Sequence, residues 1–376
     1  MSKRLMICAG EASGELYGAL LSREIKNKWH DVEITGIGGS RMKEEGVKLI
    51  APISSAIGIT EVLKHLWEIR EVFNKAKQAL VDNRPDVLVL IDYPDFNLAL
   101  AKKAKALNIP IFYYVSPQVW AWRSGRVKKI AALVNKMAVL FPFEADIYKN
   151  AGLQAEFVGH PVAETMDFNF TKEELKQKLG LAPDKPVITL LPGSRPAEIK
   201  KHMPVLRETA EMLHRELPDI QIIIPLAQES SLTGEMLPHY VTVVKGRTRK
   251  SVACSEVSAV ASGTATLETA LLCTPMVVFY KLSPLTHFFA KLLIKVKFIS
   301  LVNILSGREA VKELIQAKAT AGNIFSEIKK ILRDDKYRQE MIVNLNRIKE
   351  LMGKKTASAR VAVMIGELAG WNDTSA

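Results

Sequence analysis

Short apolar runs alternate along the first half of the chain with segments whose apolar residues recur at helical spacing. The runs predict buried strands at 4–8, 34–37, 87–91, 111–115, 137–140 and 157–158. The periodic segments predict helices at 14–28, 60–83, 96–107, 126–134 and 144–151. This alternation indicates a parallel sheet with helices on both faces.

The pattern begins again after a less regular stretch at 153–184, with strands predicted at 187–191, 220–224, 241–244, 257–260 and 276–279. The sequence therefore predicts an α/β protein with two doubly wound, Rossmann-like domains at 1–165 and 166–345. Helices at 346–376 are expected to pack back on the first domain or to be exchanged in a homodimer. Ligands of such sheets bind beyond the carboxyl ends of the strands, so we expect the site in a cleft between the domains.

The composition excludes several classes of protein. The chain has 376 residues, 48% hydrophobic and 24% charged, so it is neither disordered nor collagen-like. Its three cysteines and seven histidines show no metal-ligand or disulfide spacing. The first apolar run is too short for a signal peptide, and we find no stretch of about 20 apolar residues. These features predict a cytoplasmic protein without a membrane span.

The net charge of +12 is concentrated in two segments without acidic residues, 96–143 and 269–308. Together they carry thirteen lysines and arginines, which account for the whole net charge. Apolar side chains interleave with lysines at 282–304, and the segment 57–73 has apolar residues at helical spacing. Both segments fit either docking on an anionic membrane surface or core helices with solvated charges. Nucleic-acid binding is disfavoured, because no nucleic-acid motif accompanies these segments.

A glycine-rich loop follows the first predicted strand. It combines Gly10, Ser13 and Gly14 with the acids Glu11 and Glu15. The two carboxylates would repel a pyrophosphate, so NAD(P) binding is disfavoured, whereas a hydroxyl-rich ligand such as a sugar is tolerated. In the structural alternative, the acids stabilise the positive end of the following helix and Ser13 caps it.

Two more loops of the first domain carry polar or aromatic side chains. Asp92 and Asp95 follow the third predicted strand, and such an aspartate can act as a general base on an incoming hydroxyl. Asp95 also fits the N-cap of the next helix. The loop after the fourth strand contains Trp120, Trp122 and Arg123. The tryptophans fit three roles: stacking on a sugar, lining an acyl groove, or packing in the core.

Two loops of the second domain place small residues and an arginine at helix starts, an arrangement that suits a nucleoside diphosphate. The residues are Gly193, Ser194, Arg195, Ser262, Gly263, Thr264 and Ala265. Glu268 follows one turn later, where its carboxylate can accept hydrogen bonds from ribose hydroxyls. Each loop taken alone also fits a plain helix cap.

Seven motifs, in order along almost the whole chain, closely resemble those of the lipid-A-disaccharide synthase family, glycosyltransferases with two Rossmann-like domains (GT-B fold). They are G-E-A-S-G-E at 10–15, I-D-Y-P-D-F-N at 91–97, Y-V-S-P-Q-V-W-A-W-R at 114–123, F-P-F-E at 141–144, L-P-G-S-R at 191–195, A-S-G-T-A-T-L-E at 261–268 and S-G-R-E at 306–309. The closest alternative is another UDP-sugar enzyme of this fold, such as a UDP-N-acetylglucosamine 2-epimerase, which would lack the motifs at 91–97 and 114–123.

The resemblance implies an inverting reaction between UDP-2,3-diacylglucosamine and 2,3-diacylglucosamine 1-phosphate (lipid X), which gives lipid A disaccharide 1-phosphate and UDP. The first domain would bind the acceptor and the second the UDP-sugar. Asp95 is the implied base, Glu11 a further catalytic acid, Arg195 with the loop 262–265 the UDP site, and Glu268 the ribose contact. No cofactor or metal is expected, since helix dipoles and arginine stabilise the departing diphosphate.

The acyl chains of both substrates imply peripheral docking on the cytoplasmic face of the inner membrane, with the helix at 57–73 as the preferred docking element. The sequence departs from the family pattern at two places. Glu15 stands where the family often has aspartate, which keeps the charge on a longer side chain. Val302 precedes Asn303 where a proline is common, which weakens the implied contact of Asn303 with the donor sugar.

Overall fold

A computed structural model describes residues 3–52, 62–117, 119, 125–166, 169–226, 237–282, 297–352 and 356–371. The chain divides into two compact units: unit 1 is Met1–Glu164 with Lys354–Ala376, and unit 2 is Thr165–Gly353. The domain boundaries expected from the sequence were 165/166 and 345/346.

Within its described residues, unit 1 contains a sheet of seven parallel strands. They are β1 (Arg4–Ala9), β2 (Glu33–Gly38), β3 (Lys48–Pro52), β4 (Val87–Ile91), β5 (Ile111–Tyr114), β6 (Lys136–Val139) and β7 (Gln154–Phe157). Their order is β3-β2-β1-β4-β5-β6-β7. Every residue of β4 is buried, as expected for a central parallel strand covered on both faces.

Helices connect these strands. They are α1 (Ala12–Lys28), α2 (Ser40–Glu44), α3 (Val62–Asp82), α4 (Pro94–Ala106), α5 (Arg126–Ala131) and α6 (Pro142–Lys149), followed by a 3₁₀ helix at Pro161–Thr165. The buried faces of α3 and α4 pack with β4 and β5 in one apolar core that includes Phe73, Phe96 and Leu100.

Unit 2 repeats this plan with six parallel strands in the part of the chain that the structure describes. They are β8 (Val187–Leu191), β9 (Gln221–Leu226), β10 (Val241–Lys245), β11 (Val257–Ala261), β12 (Met276–Tyr280) and β13 (Lys312–Ile315), in the order β10-β9-β8-β11-β12-β13. The helices are α7 (Lys172–Lys178), α8 (Pro196–Glu216), α9 (Thr248–Ala253), α10 (Thr264–Leu271), α11 (Leu301–Ser306), α12 (Ala321–Arg333) and α13 (Asp335–Met352).

The last helix, α14 (Ala357–Ala369), belongs to unit 1 and packs against α1. Its start is fixed by Glu164, whose Oε1 accepts the backbone N–H of Ser358 at 2.7 Å. Just past its end, the indole N–H of Trp371 donates to Asp86 at 3.1 Å, and the Trp371 and Trp29 rings lie 5.2 Å apart. A homodimer with exchanged C-terminal helices stays a prediction.

The two-sheet α/β prediction is confirmed, but two strands were not predicted. Both β3 and β13 lie at the edge of a sheet, and each has only one buried residue. Because a half-exposed edge strand needs no run of apolar side chains, the sequence carries little signal for it.

Candidate active site

In both sheets the strand order reverses beside the first strand of the unit, between β1 and β4 in unit 1 and between β8 and β11 in unit 2. The connections on either side of such a reversal diverge, which leaves room for a ligand beyond the carboxyl ends of the strands. The loops after these four strands contain most of the site residues predicted from the sequence.

The turn after β4 holds Asp92 in an uncommon backbone conformation. Asp92 and Tyr93 have φ angles of 48° and 45°, in the left-handed region that non-glycine residues rarely occupy. Two donors hold the Asp92 carbonyl: Nδ2 of Asn97 at 2.7 Å and the hydroxyl of Tyr113 at 2.7 Å. Backbone strain fixed by surrounding hydrogen bonds is a feature of functional sites.

The carboxyl of Asp92 is partly buried and lies near Glu11, the residue that precedes α1. Burial, and after it the negative charge of Glu11, raises the pKa of Asp92 from 3.8 to about 6. A carboxyl with this pKa is ionised at neutral pH and is a stronger proton acceptor than an ordinary aspartate. Asp92 therefore has the properties of a general base.

Asp95, the base implied by the resemblance, has a different environment. Its side chain is 78% exposed, and its Oδ1 accepts a hydrogen bond from the guanidinium of Arg126. The N-cap of α4 is Tyr93, so the alternative in which Asp95 caps this helix is wrong. The structure thus places Asp95 one residue into the helix at the surface, and Asp92 in the partly buried turn.

Gly10 allows the loop after β1 to approach the turn after β4. A Cβ atom at position 10 would lie 2.2 Å from Cγ of Tyr93, so any larger residue would displace the ring. Gly14 is buried against β4, with a Cβ position 3.4 Å from Cγ2 of Ile91. These glycines bring the backbones of α1 and the Asp92 turn together.

The other polar residues of the first loop have structural contacts. Glu11 occupies the N-cap position of α1, so the prediction that Ser13 caps this helix is wrong, and Ser13 lies in its first turn. Oε1 of Glu15 accepts the backbone N–H of Arg41 at 2.9 Å and thereby stabilises the start of α2. The longer side chain of glutamate at this position makes that contact.

In unit 2, a pocket of about 370 Å³ lies over the ends of β8 and β11. The residues predicted for nucleoside diphosphate binding all line it: Gly193, Ser194, Arg195, Ser262, Gly263, Thr264, Ala265 and Glu268. The N-termini of α8 and α10 open onto this pocket, so backbone N–H groups and the Arg195 side chain provide positive potential at one place.

Glu198 fixes the loop after β8. Its Oε2 accepts the backbone N–H of Arg195 at 3.4 Å, and its Oε1 accepts the hydroxyl of Tyr280 at 3.0 Å. Gly193 has a φ angle of 110°, and a Cβ atom there would lie 2.7 Å from the Glu198 carboxylate. Burial, and after it the charge of Glu198, raises the pKa of Tyr280 to about 12, so the hydroxyl stays a donor.

Arg249 fixes Glu268. Its Nη2 donates to Oε1 of Glu268 at 2.7 Å, and its Nη1 donates to the hydroxyl of Thr165 at 2.7 Å. Every contact recorded for the Glu268 carboxylate in the described part of the chain involves Oε1. Glu268 also lines the pocket, where a carboxylate oxygen can accept hydrogen bonds from hydroxyl groups.

Asn303 does not line the pocket described above. Its Nδ2 donates to the carbonyl of Val311 and to Glu313, each at 2.8 Å, and its Oδ1 accepts the backbone N–H groups of Ala310 and Val311. The side chain is fully buried. A contact between this amide and the donor sugar would require these hydrogen bonds to break, so the structure assigns Asn303 to the local fold.

Several predicted features lie outside the described residues. Trp120 and Arg123 are among them, as are 53–61, which include the start of the segment 57–73, and 283–296, which include Lys291 and Lys295 of the second basic segment. Of the first basic segment, Lys136 is buried and paired with Glu367 instead of facing solvent. No described helix is long and apolar enough to cross a membrane. Within the described ranges, no cluster of three or more histidine, cysteine or carboxylate residues could hold a metal ion.

Sequence reasoning did not assign a role to Asn97, Tyr113, Glu198 or Arg249. Glu198 lies three residues after Arg195, a spacing typical of a capping box, so this signal could have been found. Asn97 belongs to a motif already singled out. Tyr113 and Arg249 come from other parts of the chain, and only the fold brings them to the site.

Comparison with known proteins agrees with this geometry. A chain from Staphylococcus aureus, MnaA with UDP, superposes with a TM-score of 0.69 at 13% identity over 98% of both chains. The glycotransferase of kitacinnamycin superposes with a TM-score of 0.65 at 15% identity, covering 98% of this chain and 100% of that one. These likenesses show the GT-B fold alone.

Sequence similarity identifies the family, which the likeness of fold does not. The chain is 44% identical to the lipid-A-disaccharide synthase of Geobacter sulfurreducens, over 98% of each protein. The sequence pattern of the lipid-A-disaccharide synthetase family matches residues 5–365, almost the full length. The chain therefore belongs to the lipid-A-disaccharide synthase family, glycosyltransferase enzymes of lipid A biosynthesis.

Proposed function

We propose that the protein transfers a 2,3-diacylglucosaminyl group from UDP to the 6-hydroxyl of 2,3-diacylglucosamine 1-phosphate, with inversion at the anomeric carbon. The products are the β-1′,6-linked disaccharide 1-phosphate and UDP. Family membership supports the reaction, and the single structural observation that supports its chemistry is the partly buried Asp92 beside Glu11 at the β1/β4 reversal. One displacement by the acceptor hydroxyl inverts the centre and needs one base.

Unit 2 is the proposed UDP site. The diphosphate would contact the backbone N–H groups at the starts of α8 and α10, together with Arg195, and the ribose hydroxyls would donate to Glu268. As the bond to the anomeric carbon breaks, negative charge develops on the leaving UDP. The helix N-termini and the guanidinium stabilise this charge, so we propose that the transfer proceeds without a metal ion or other cofactor.

Unit 1 is the proposed acceptor site. Asp92 is the preferred base, because its raised pKa matches a proton transfer near neutral pH. Glu11 acts on Asp92 through its negative charge. Asp95 stays the alternative base, and it would need to leave the guanidinium of Arg126 to reach a substrate.

Acceptor-dependent release of UDP tests the reaction and the base together. With UDP-2,3-diacylglucosamine as donor, the wild-type protein should release UDP only when the acceptor is present. Asp92→Asn should lower kcat about a hundredfold or more. Asp95→Asn, the matched variant in the same motif, should lower it less than tenfold.

The outcomes separate the hypotheses. A large loss in Asp95→Asn with a small one in Asp92→Asn would return the base to Asp95. UDP release that does not depend on the acceptor, or none in any lipid or detergent, would contradict the proposed reaction itself.

We further propose that unit 1 docks on an anionic membrane surface, the cytoplasmic face of the inner membrane, where diacylated substrates reside. On α3 the Trp67 side chain is 72% exposed, which is unusual for tryptophan. Five lysines of the first basic segment are exposed: Lys102, Lys103, Lys105, Lys128 and Lys129. An exposed aromatic side chain and exposed lysines in the same unit fit a contact with an anionic interface.

Vesicle sedimentation tests this docking. Trp67→Ser should reduce the fraction of protein that sediments with anionic vesicles severalfold, because the ring no longer enters the interface. Val343→Ser in unit 2 is the control, since it removes another exposed apolar side chain, 49% exposed. Equal sedimentation of wild type and Trp67→Ser would exclude Trp67 from the docking surface.

A further inference from the structure

A buried histidine holds the loop that carries Gly193, Ser194 and Arg195. His202 lies in the second turn of α8, and its Nδ1 is 2.6 Å from the carbonyl oxygen of Pro192, the first residue after β8. The side chain of His202 is fully buried, and it is not one of the described residues that line the unit 2 pocket. His202 therefore contacts this loop within the protein interior and not from the side of the pocket.

The second ring nitrogen of His202 determines where the ring carries its proton. The backbone N–H of Lys281 donates to Nε2 at 3.1 Å, so Nε2 is an acceptor. In a neutral imidazole the other nitrogen then carries the proton, and Nδ1 donates it to the Pro192 carbonyl. Burial favours the neutral ring, since it lowers the pKa of His202 from its ordinary value of 6.5. One tautomer thus satisfies both contacts.

The end of β12 holds this loop at both of its ends. At the first end, the contact of Lys281 orients the His202 ring. At the second end, the hydroxyl of Tyr280 donates to Glu198, whose carboxylate accepts the backbone N–H of Arg195. The rings of His202 and Tyr280 lie 5.2 Å apart. Two consecutive residues of an inner strand therefore support the two ends of the loop.

The peptide between Pro192 and Gly193 is the group that His202 fixes. The described chain has no cis peptide bond, and a trans peptide is planar, so the direction of the Pro192 carbonyl also sets the direction of the Gly193 N–H. Gly193 has a φ angle of 110°, and a glycine offers little steric resistance to rotation of this peptide. Without the hydrogen bond from His202, a ligand would have to order the loop when it binds, which lowers its affinity.

We propose that His202 is a positioning residue of the nucleotide site: by donating to the Pro192 carbonyl, it keeps the loop 192–195 in the conformation that binds a diphosphate. The inference rests on the proposed function, which puts the diphosphate of the UDP-sugar at this loop, and it adds to that site a residue outside the pocket. His202 acts through Pro192 and does not touch the substrate. The N–H at Nδ1 holds the loop, and acceptance at Nε2 orients the ring.

Two substitutions separate the roles of the two ring nitrogens. The amide N–H of His202→Asn can replace Nδ1, whereas the amide oxygen of His202→Gln reaches the position of Nε2. In calorimetric titrations of the full chain with UDP, His202→Asn keeps the donor to Pro192, so its Kd should stay within about threefold of the wild type. His202→Gln loses this donor, and its Kd should rise about fivefold to tenfold, the loss expected for one hydrogen bond.

Steady-state kinetics distinguish this role from a general loss of structure. His202→Gln should raise KM for the UDP-sugar by a similar factor and leave KM for the acceptor unchanged. His214→Gln is the matched control, because His214 lies on the same helix, is exposed and stacks on Tyr240. It should leave both KM values and the Kd for UDP unchanged. UDP should also raise the melting temperature of His202→Gln less than that of the wild type.

Nitrogen NMR of the wild type with labelled histidines tests the inference even if His202→Gln does not fold. The His202 ring should show a proton on Nδ1 and none on Nε2. Among the described residues, His160 is the other buried histidine, and its Nδ1 accepts the backbone N–H of Val162, so its proton lies on Nε2. The two rings are therefore distinguishable. Addition of UDP should shift the His202 signals and leave those of His214 in place.

Three results would overturn the inference: an equal loss of UDP affinity in His202→Asn and His202→Gln, no loss in either variant, or His202 signals that UDP does not shift. If the wild type binds UDP but shows no acceptor-dependent UDP release, the proposed reaction fails, and the binding data still decide the role of His202. If the wild type turns over but the two variants do not differ, only the role of His202 fails. A wild type that binds no UDP would overturn both.

Discussion

The two strand-order reversals of this molecule have the same topology and opposite chemistry. At the β1/β4 reversal of unit 1, Asp92 and Glu11 lie near each other, and the pKa of Asp92 is raised. At the β8/β11 reversal of unit 2, two helix N-termini and Arg195 line a pocket of about 370 Å³. The fold therefore determines where a ligand binds in each unit, and the loop residues determine which ligand it is.

Each unit uses one glycine to bring these loop residues close. Gly10 permits the ring of Tyr93 to cover the loop after β1, and Gly193 permits the Glu198 carboxylate to reach the loop after β8. In unit 1 this contact brings the loop after β1 against the turn that holds Asp92. In unit 2 it lets the Glu198 carboxylate accept the backbone N–H of Arg195, which fixes the start of α8. A glycine thus allows a close contact both beside the carboxylates of unit 1 and beside the proposed diphosphate site of unit 2.

The largest effect on substrate binding is expected from removing the positive charge of unit 2. Arg195→Ala should raise KM for the UDP-sugar about tenfold to a hundredfold, because it deletes charge-assisted hydrogen bonds to the diphosphate. UDP should also protect this variant less against heat than it protects the wild type. Steady-state kinetics and thermal melting with and without UDP measure the two effects.

A matched arginine lies on the same helix. The Arg215 side chain is 66% exposed and that of Arg195 is 69% exposed, but Arg215 lies at the far end of α8 and does not line the pocket. Arg215→Ala should leave KM for the UDP-sugar unchanged. If both variants weakened binding equally, the net charge of unit 2, and not a specific contact of Arg195, would attract the nucleotide. The loop residues at the β8/β11 reversal would then not determine which ligand binds there.

Much of the fold was predictable from the sequence, because central strands are continuous apolar runs. The run Val87–Ile91 is an example, since every one of its residues is buried. The edge strands β3 and β13 were not predictable, because their mixed sequences reflect exposure on one side. The motifs also predicted eight of the residues that line the unit 2 pocket, since glycine and small residues after a strand signal a phosphate-binding loop.

The roles of the acids were less predictable. Asp92 and Asp95 are three residues apart in one motif, and sequence alone gives them the same chemistry. Their difference lies in their surroundings, because Asp92 is partly buried in the left-handed turn while Asp95 is exposed in the first turn of α4. Asn303 shows the same limit, because the four hydrogen bonds that occupy its amide come from residues that only the fold brings together.

The smallest effect concerns the pH dependence of unit 1. Because the pKa of Asp92 is about 6, the base is ionised above this pH and protonated below it, so kcat/KM for the acceptor should fall about tenfold for each pH unit below 6. Glu11→Gln removes a negative charge that disfavours ionisation of Asp92. The acidic limb of the profile should therefore move to lower pH, by less than one unit, because burial is the larger cause of the raised pKa.

Glu15→Gln is the control for this shift. It removes a charge from the same loop, but glutamine keeps an oxygen that accepts the backbone N–H of Arg41, and Glu15 is not among the causes of the Asp92 shift. The acidic limb of Glu15→Gln should coincide with that of the wild type. If the acidic limb moved equally in both variants, the total charge of the loop, and not the specific pair of Glu11 and Asp92, would set the pKa of the base. An acidic limb near pH 4 in the wild type would exclude Asp92 as the base. In either case unit 1 would differ from unit 2 only in the sign of its charge, and no longer in holding a tuned proton acceptor.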